Sequence, residues 1–149
     1  NMYANEYVQS GLINGTQWDT IMKWIQSGGQ NLKSEQWGNH NNSSVILRGG
    51  KCAYVSTNNG ANWINATETT KGITQMIKTG ASNGTREKNI YDIAGNVWEY
   101  TCEMYSNYPI IRGSGFNDNN TTYPVEYRNY TGPTTPAFNI GFRANLYIK

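Results

Sequence analysis

Cysteine and histidine are nearly missing from this chain. Its 149 residues include two cysteines, Cys52 and Cys102, and one histidine, His40. Two cysteines allow one disulfide in an extracellular protein or two thiols, and free, buried thiols are the expectation here. One histidine leaves no metal-ligand histidine pair, and no nucleophile elbow or phosphate loop is present. His40 lies among asparagines and reads as a solvated loop residue. No apolar run is long enough to span a bilayer, so direct membrane insertion by this chain is not expected. No signal peptide or lipidation pattern is visible. The chain opens on Asn1, which suggests the C-terminal part of a longer protein. Neither sign of charge dominates: 12 Lys and Arg against 10 Asp and Glu leave +2 without a basic cluster. That excludes the positive face a nucleic-acid partner requires.

What is plentiful is Asn, with 11 Tyr and 5 Trp. Tyr, Asn, Ser and Gly are the residues of adaptable binding surfaces, although an AT-rich coding sequence supplies the same bias. The length suits one domain, residues 1–149, with a hydrophobic core beneath a polar surface.

The clearest helix begins near Thr16. Thr16 as N-cap and Asp19 three residues later fit a capping box. Trp18, Ile21, Met22 and Ile25 share one face, and Gly28-Gly29 stops the helix. Before it, Asn1–Asn14 is a lead-in anchored by Tyr3, Tyr7, Val8, Leu12 and Ile13. After it, 31–44 reads as polar loop and 45–55 as a strand pair broken at Gly49-Gly50. Residues 56–65 read as a loop carrying Trp63, and 71–78 as a short helix facing Ile73, Met76 and Ile77 inward. Residues 79–88 form a Gly-, Ser- and Asn-rich loop. Short strands are expected at 110–112 and around Phe116. Phe138, Ile140, Phe142, Ala144, Leu146 and Ile148 alternate as a last strand.

The chain is organised around Tyr91-Asp92-Ile93-Ala94-Gly95-Asn96-Val97-Trp98-Glu99-Tyr100. Gly95-Asn96 marks a tight turn, and Val97, Trp98 and Tyr100 read as strand. Asp92 and Glu99 bracket the turn. Their oxygens and the turn's carbonyls could hold a hard cation such as calcium, and a charged turn entering a core strand is the plainer alternative.

Asp92–Tyr100 resembles the signature of the formylglycine-generating-enzyme (sulfatase-modifying factor) family. Arg112-Gly113-Ser114-Gly115-Phe116 and Ile140-Gly141-Phe142-Arg143 resemble two further family segments in the same order. The resemblance implies an α+β, C-type lectin-like fold with short twisted antiparallel strands, one or two helices and many loops. The family's N-terminal strands would then lie upstream of a chain that starts at the first helix. The resemblance also implies a structural calcium held by Asp92 and Glu99 with main-chain oxygens at Gly95 and Val97. The family's oxidase binds copper through two cysteines just after the segment matching Arg112–Phe116. Residues 117–128 contain no cysteine, so no copper and no enzyme activity are expected. Asp118 and Glu126 as a glycosidase pair are a remote alternative.

Residues 105–143 also resemble the variable regions of proteins diversified by retroelements, whose template adenines mutate Asn codons. A frame of Arg112-Gly113, Pro124, Arg128, Pro133 and Ile140–Arg143 surrounds positions reachable from an Asn codon. In that frame Gly113 allows close backbone approach, and Arg128 and Arg143 tie loops through carbonyls. The ligand-binding candidates are Tyr108, Ile110, Phe116, Asn117, Asn119, Asn120, Tyr123, Tyr127, Asn129, Tyr130, Thr134 and Asn139. Tyrosines give stiff contact area, and asparagines give adaptable donors and acceptors. The implied function is non-enzymatic binding of a protein or glycan on a cell surface, in an extracellular setting on a bacterial surface or phage particle. The alternatives are an oxidase with relocated cysteines and a structural domain of a pilin-like or phage tail protein.

Overall fold

The computed structural model describes residues 5–33, 37–43, 45–47, 54–57, 62–65, 75–132, 134 and 137–148. Its one α-helix among them, α1 (Gly15–Ser27), buries Trp18, Met22 and Ile25 and half-buries Ile21. The cap is Asn14, two residues before the expected Thr16. Asn14 accepts from the Gln17 amide at 2.9 Å, and its own amide donates to Gln17 Oε1 at 2.9 Å. Asparagine caps better than threonine, and Gln17 completes the box. Asp19 is therefore not a capping residue and faces two arginines instead. Gly29 ends the helix at φ +86, as expected.

Strand β1 (Val8–Leu12) precedes α1 and pairs antiparallel with β10 (Ala144–Ile148). Val8 stands opposite Ile148, and Leu12 opposite Ala144. The lead-in thus carries a strand of its own, which pairs with the last one described. Strands β2 (Tyr54–Thr57) and β3 (Asn62–Asn65) pair antiparallel; Tyr54 and Val55 were expected as strand, and 56–65 as loop. The alternation there is too short to separate strand from polar loop by pattern. β4 (Arg86–Glu87) and β5 (Ile90–Tyr91) make a tight hairpin through Lys88 and Asn89, both at positive φ. The principal sheet contains β6 (Trp98–Tyr105), β7 (Tyr108–Arg112), β8 (Asn129–Tyr130) and β9 (Ile140–Phe142), in the order β8-β7-β6-β9. β9 runs parallel to β6 and the other pairings are antiparallel. The architecture is α+β.

The main core lies between α1 and the signature turn. It gathers Ile13, Trp18, Met22, Ile25, Leu32, Trp37, Ile93, Ala94 and Val125. The Trp18 indole N–H donates to the Val125 carbonyl at 3.1 Å, so burial leaves no orphaned donor. Val45, Leu47, Ile77 and Ala81 form a second, smaller cluster.

Four further expectations are corrected. Residues 75–78 are not helical, although Ile77 is buried; residues 71–74, with Ile73, lie outside the described residues. Of the strand pair expected at 45–55, Tyr54 and Val55 are strand in β2, residues 45–47 are not, and 48–53 lie outside the described residues. Phe116 is buried but outside any strand. Residues 138–148 divide into β9 and β10; Ile140 is half-buried, but Phe142, Ala144, Leu146 and Ile148 are exposed. Phe142 and Leu146 are each 63% exposed and Ile148 88%. The half-buried residues between them are Arg143, which bonds Glu99, and Asn145, which bonds Gln17 and the Leu12 carbonyl; the exposed Tyr147 hydroxyl accepts from Gln17. Alternation alone cannot say which face is buried.

Candidate functional site

The signature turn is a backbone knot. Gly95 adopts φ +72, and a β-carbon there would collide with the Asn39 main chain. The Gly95 amide donates to the Gly113 carbonyl at 2.7 Å, and the Asn96 amide to the Asn39 carbonyl at 2.8 Å. The Asn96 side chain accepts from the Ile77 amide and donates to its carbonyl, at 2.9 and 3.0 Å. Gly113, at φ +92, approaches the Ile93 carbonyl and the Trp18 ring closely. The close approach expected of Gly113 is therefore present.

The asparagine-rich loop read as solvated is largely interior. Asn39 and His40 are fully buried, and Ser43 is buried. The loop braces both the signature turn and the loop after Phe116. The Asn41 amide donates to the Asp118 carbonyl at 3.0 Å, and Asn41 Nδ2 to the Asn117 carbonyl at 2.9 Å. Asn42 Oδ1 accepts from the Asn120 amide at 3.0 Å. These contacts cross more than 70 residues, beyond the reach of any local pattern. Burial depresses the His40 imidazole to about 4, which the Gly115 backbone only partly opposes.

Strand β6 begins with Trp98, whose indole N–H donates to Asp118 Oδ2 at 2.7 Å. The same oxygen accepts from the Gly115 amide at 3.0 Å. Asp118 thereby fixes the loop against the sheet. Tyr123 meets the Trp98 ring edge-on at 6.0 Å, and Tyr127 meets Tyr123 at 5.3 Å. Phe138 lies 6.1 Å from Phe116, and Asn139 Nδ2 donates to Asn117 Oδ1 at 3.2 Å. The result is an amphipathic surface of Asn117, Tyr123, Tyr127, Phe138 and Asn139 on a hydrogen-bonded base.

A second aromatic patch stands at the far end of β6. Tyr130 packs against Tyr105 at 5.1 Å and Tyr108 at 5.8 Å, and all three are exposed. Seven residues of strand separate Trp98 from Tyr105, roughly 23 Å at ordinary strand rise. The predicted binding residues therefore fall into two groups: Asn117, Tyr123, Tyr127 and Asn139 in one, Tyr108 and Tyr130 in the other. Asn129 is half-buried on β8, next to Tyr130, and Thr134 is exposed. Asn119 is half-buried and caps its own turn through the Thr121 amide at 2.9 Å. Ile110, Phe116 and Asn120 are buried, so these three candidates support the surface and do not present it. Sequence reasoning missed Tyr105 and the bracing roles of Asn41, Asn42 and Asp118.

Two charge networks secure the site. Asp19 pairs with Arg112 and, at 2.7 Å, with Arg128, which also reaches Glu103 at 3.3 Å. Arg128 thus ties carboxylates and not the expected carbonyls. Burial pushes Asp19 up, but the two arginines outweigh it and hold the carboxyl below its usual range. In the second network Arg143 donates to both Glu99 oxygens at 2.6 and 2.9 Å, and to the Tyr91 and Asp92 carbonyls at 3.0 and 3.2 Å. Burial raises Glu99 above the usual carboxylate range, against the pull of Arg143. Asp92, at φ +53, is also raised by burial. Thr85, Thr79 and the Gly80 amide favour its charged form, yet neither carboxylate oxygen has a hydrogen bond of normal geometry. Among the described residues no three His, Cys, Asp or Glu side chains cluster around a metal position. For calcium the donor set fits in part. Asp92 offers two buried oxygens, while Glu99 is shared with a guanidinium.

Cys102 carries a free, exposed thiol that donates to the Leu12 carbonyl at 3.3 Å, so it is not the buried thiol expected. Cys52 lies outside the described residues.

Residues 26–146 match the model of the sulfatase-modifying factor enzyme 1-like domain. The chain belongs to that family. The match spans the helix end, the signature turn, the bracing loops and β9. No curated protein and no solved structure matches the chain. Among the described residues no helix is long and apolar enough to cross a membrane.

Proposed function

We propose that this sulfatase-modifying-factor-like domain is a non-enzymatic binding module with a C-type lectin-like fold. Its ligand is a protein or glycan on a cell surface, and its setting is extracellular. The observation that carries the reading is the surface of Asn117, Tyr123, Tyr127, Phe138 and Asn139. Its side chains stand on a base fixed by Asp118, Asn41 and Asn42. A surface built that way tolerates changed side chains without losing its scaffold. The oxidase reading has less support, because the segment after Phe116 holds no thiolate for copper(I).

The reading extends to diversification by a retroelement within 105–143. Tyr123, Tyr127, Asn117 and Asn139 are the surface positions that substitution would alter, whereas Gly113 and Arg143 hold the frame. Sequencing the coding locus tests this. A near-copy of 105–143 with adenines at the differing positions, beside a reverse transcriptase gene, is the expected finding. A locus without such a repeat refutes diversification and leaves a fixed binding surface.

Calcium has a structural place in the same reading. Asp92 would be its principal ligand, with Glu99 and the carbonyls of Gly95 and Val97, and it would neutralise a buried carboxylate. Thermal unfolding in calcium and in chelator tests this. Calcium should raise the midpoint of the natural chain and leave Asp92→Asn unmoved. An equal shift in both would remove Asp92 from the ligand set.

A further inference from the structure

We infer that the tyrosine patch at the tip of the β6–β7 hairpin is a separate binding site, for a neutral glycan. It lies apart from the surface around Tyr123 and Tyr127, so either reading can fail alone. Tyr105 and Tyr108 stand opposite each other across the Ser106-Asn107 turn. Tyr130, opposite Ile110, packs on both, with ring centroids 5.1 and 5.8 Å away and planes 32° and 40° apart. Each of the three is about half exposed. Among the described residues none of their hydroxyls has a hydrogen-bond partner. The patch is held in place by backbone. Paired strands carry Tyr105 and Tyr108, and next to Tyr130 the Thr131 amide donates to the Pro109 carbonyl at 3.3 Å. Stiff rings on paired strands lose little entropy when a ligand covers them.

Ring geometry, charge and area select the ligand. Rings this close touch one another, so they form neither a cage around a cation nor a groove for a proline-rich segment. What they offer is outer faces and free hydroxyls. Aromatic faces are electron-rich and the C–H bonds of a sugar ring are weakly positive, so the two stack, while the phenols exchange hydrogen bonds with sugar hydroxyls. The neighbours in sequence, Met104, Ser106, Asn107, Pro109, Asn129 and Thr131, are all uncharged. The next charges along the strands, Glu103 and Arg128, pair with each other at 3.3 Å. An ionic ligand finds no partner there, and a neutral sugar needs none. Tyrosines carry roughly 150–250 Å² each, so half-exposed rings present on the order of 300 Å². A protein partner covers about 800 Å² on each side, whereas the patch matches the face of a short sugar chain.

Titrating the full chain with cellohexaose, maltohexaose, mannohexaose and N-acetylchitohexaose tests the inference by NMR, at up to about 5 mM to populate millimolar complexes. At least one sugar should shift the ring signals of Tyr105, Tyr108 and Tyr130 and leave those of Tyr123 and Tyr127 in place. Tyr105→Ser with Tyr130→Ser should weaken that binding about tenfold or more. The circular dichroism spectrum should not change, since both side chains are already exposed. Tyr127→Ser should leave the sugar affinity as it was. A panel that moves none of the three rings would overturn the inference, including the case where a proline-rich decapeptide moves them instead. Sugar shifts that fall on Tyr123 and Tyr127, or an affinity that survives the double substitution, would also overturn it.

Discussion

Acidification should destabilise this domain through His40 before its carboxylates respond. The imidazole is fully buried between the signature turn and the loop after Phe116. Burial lowers it from an ordinary 6.5 to about 4. A depressed base contributes stability that is complete above 6.5 and is lost as pH falls toward 4, because the unfolded chain takes the proton first. Full titration of that gap corresponds to about 3 kcal/mol, and the fall from about pH 7 to about pH 5 to about 2 kcal/mol. Asp92 and Glu99 act in the opposite sense. Their raised values mean the folded state gains protons first, so they offset the loss as pH approaches the carboxylate range. The His40 effect is therefore cleanest between about 6.5 and about 5. Urea unfolding at the two ends of that window measures it. His40→Gln should be less stable at neutral pH and show a much flatter pH dependence. An equally steep dependence in His40→Gln would refute the assignment.

Three further outcomes follow from the same geometry. Gly95→Ala should cost at least about 2–3 kcal/mol, since it imposes a left-handed backbone and a collision with Asn39; a midpoint shift under a few degrees in a thermal scan would contradict this. Arg143→Ala should cost about 3–5 kcal/mol at neutral pH by leaving Glu99 buried without its partner, and the loss should shrink in acid as Glu99 protonates, read by unfolding at several pH values. Asp118→Ala should cost about 1–3 kcal/mol and speed amide exchange at Gly115 while leaving the α1 amides protected, and uniform acceleration across the chain would contradict the bracing role.

The parts legible in the sequence were those written in local pattern. The apolar stripe of α1 names its buried face, and Gly28-Gly29 names its end. Gly95-Asn96 marks the turn, and the Asp92–Tyr100 motif leads to the family. The cap at Asn14 was displaced because two good N-cap residues stand two positions apart, and Gln17 decides between them. The candidate site was legible only as a region. Tyr123 and Tyr127 reach its surface, yet Ile110, Phe116 and Asn120 lie beneath it, and no composition rule separates those roles. His40 among asparagines has the composition of a wet loop. It is dry because Asn39, Asn41 and Asn42 bond to partners tens of residues away. The last strand misleads in the other direction, since its alternation is real while its apolar side faces outward.

Randomising positions 117, 123, 127 and 138 together on a display host tests most directly whether this domain is a fixed scaffold for a changeable surface. Protease resistance of the library members reports folding, and selection against a purified model protein such as egg-white lysozyme reports binding. Most members should keep the parent's resistance, and binders should emerge whose affinity is lost when those four positions revert. A library that mostly unfolds, or that folds and yields no binder, would contradict the account.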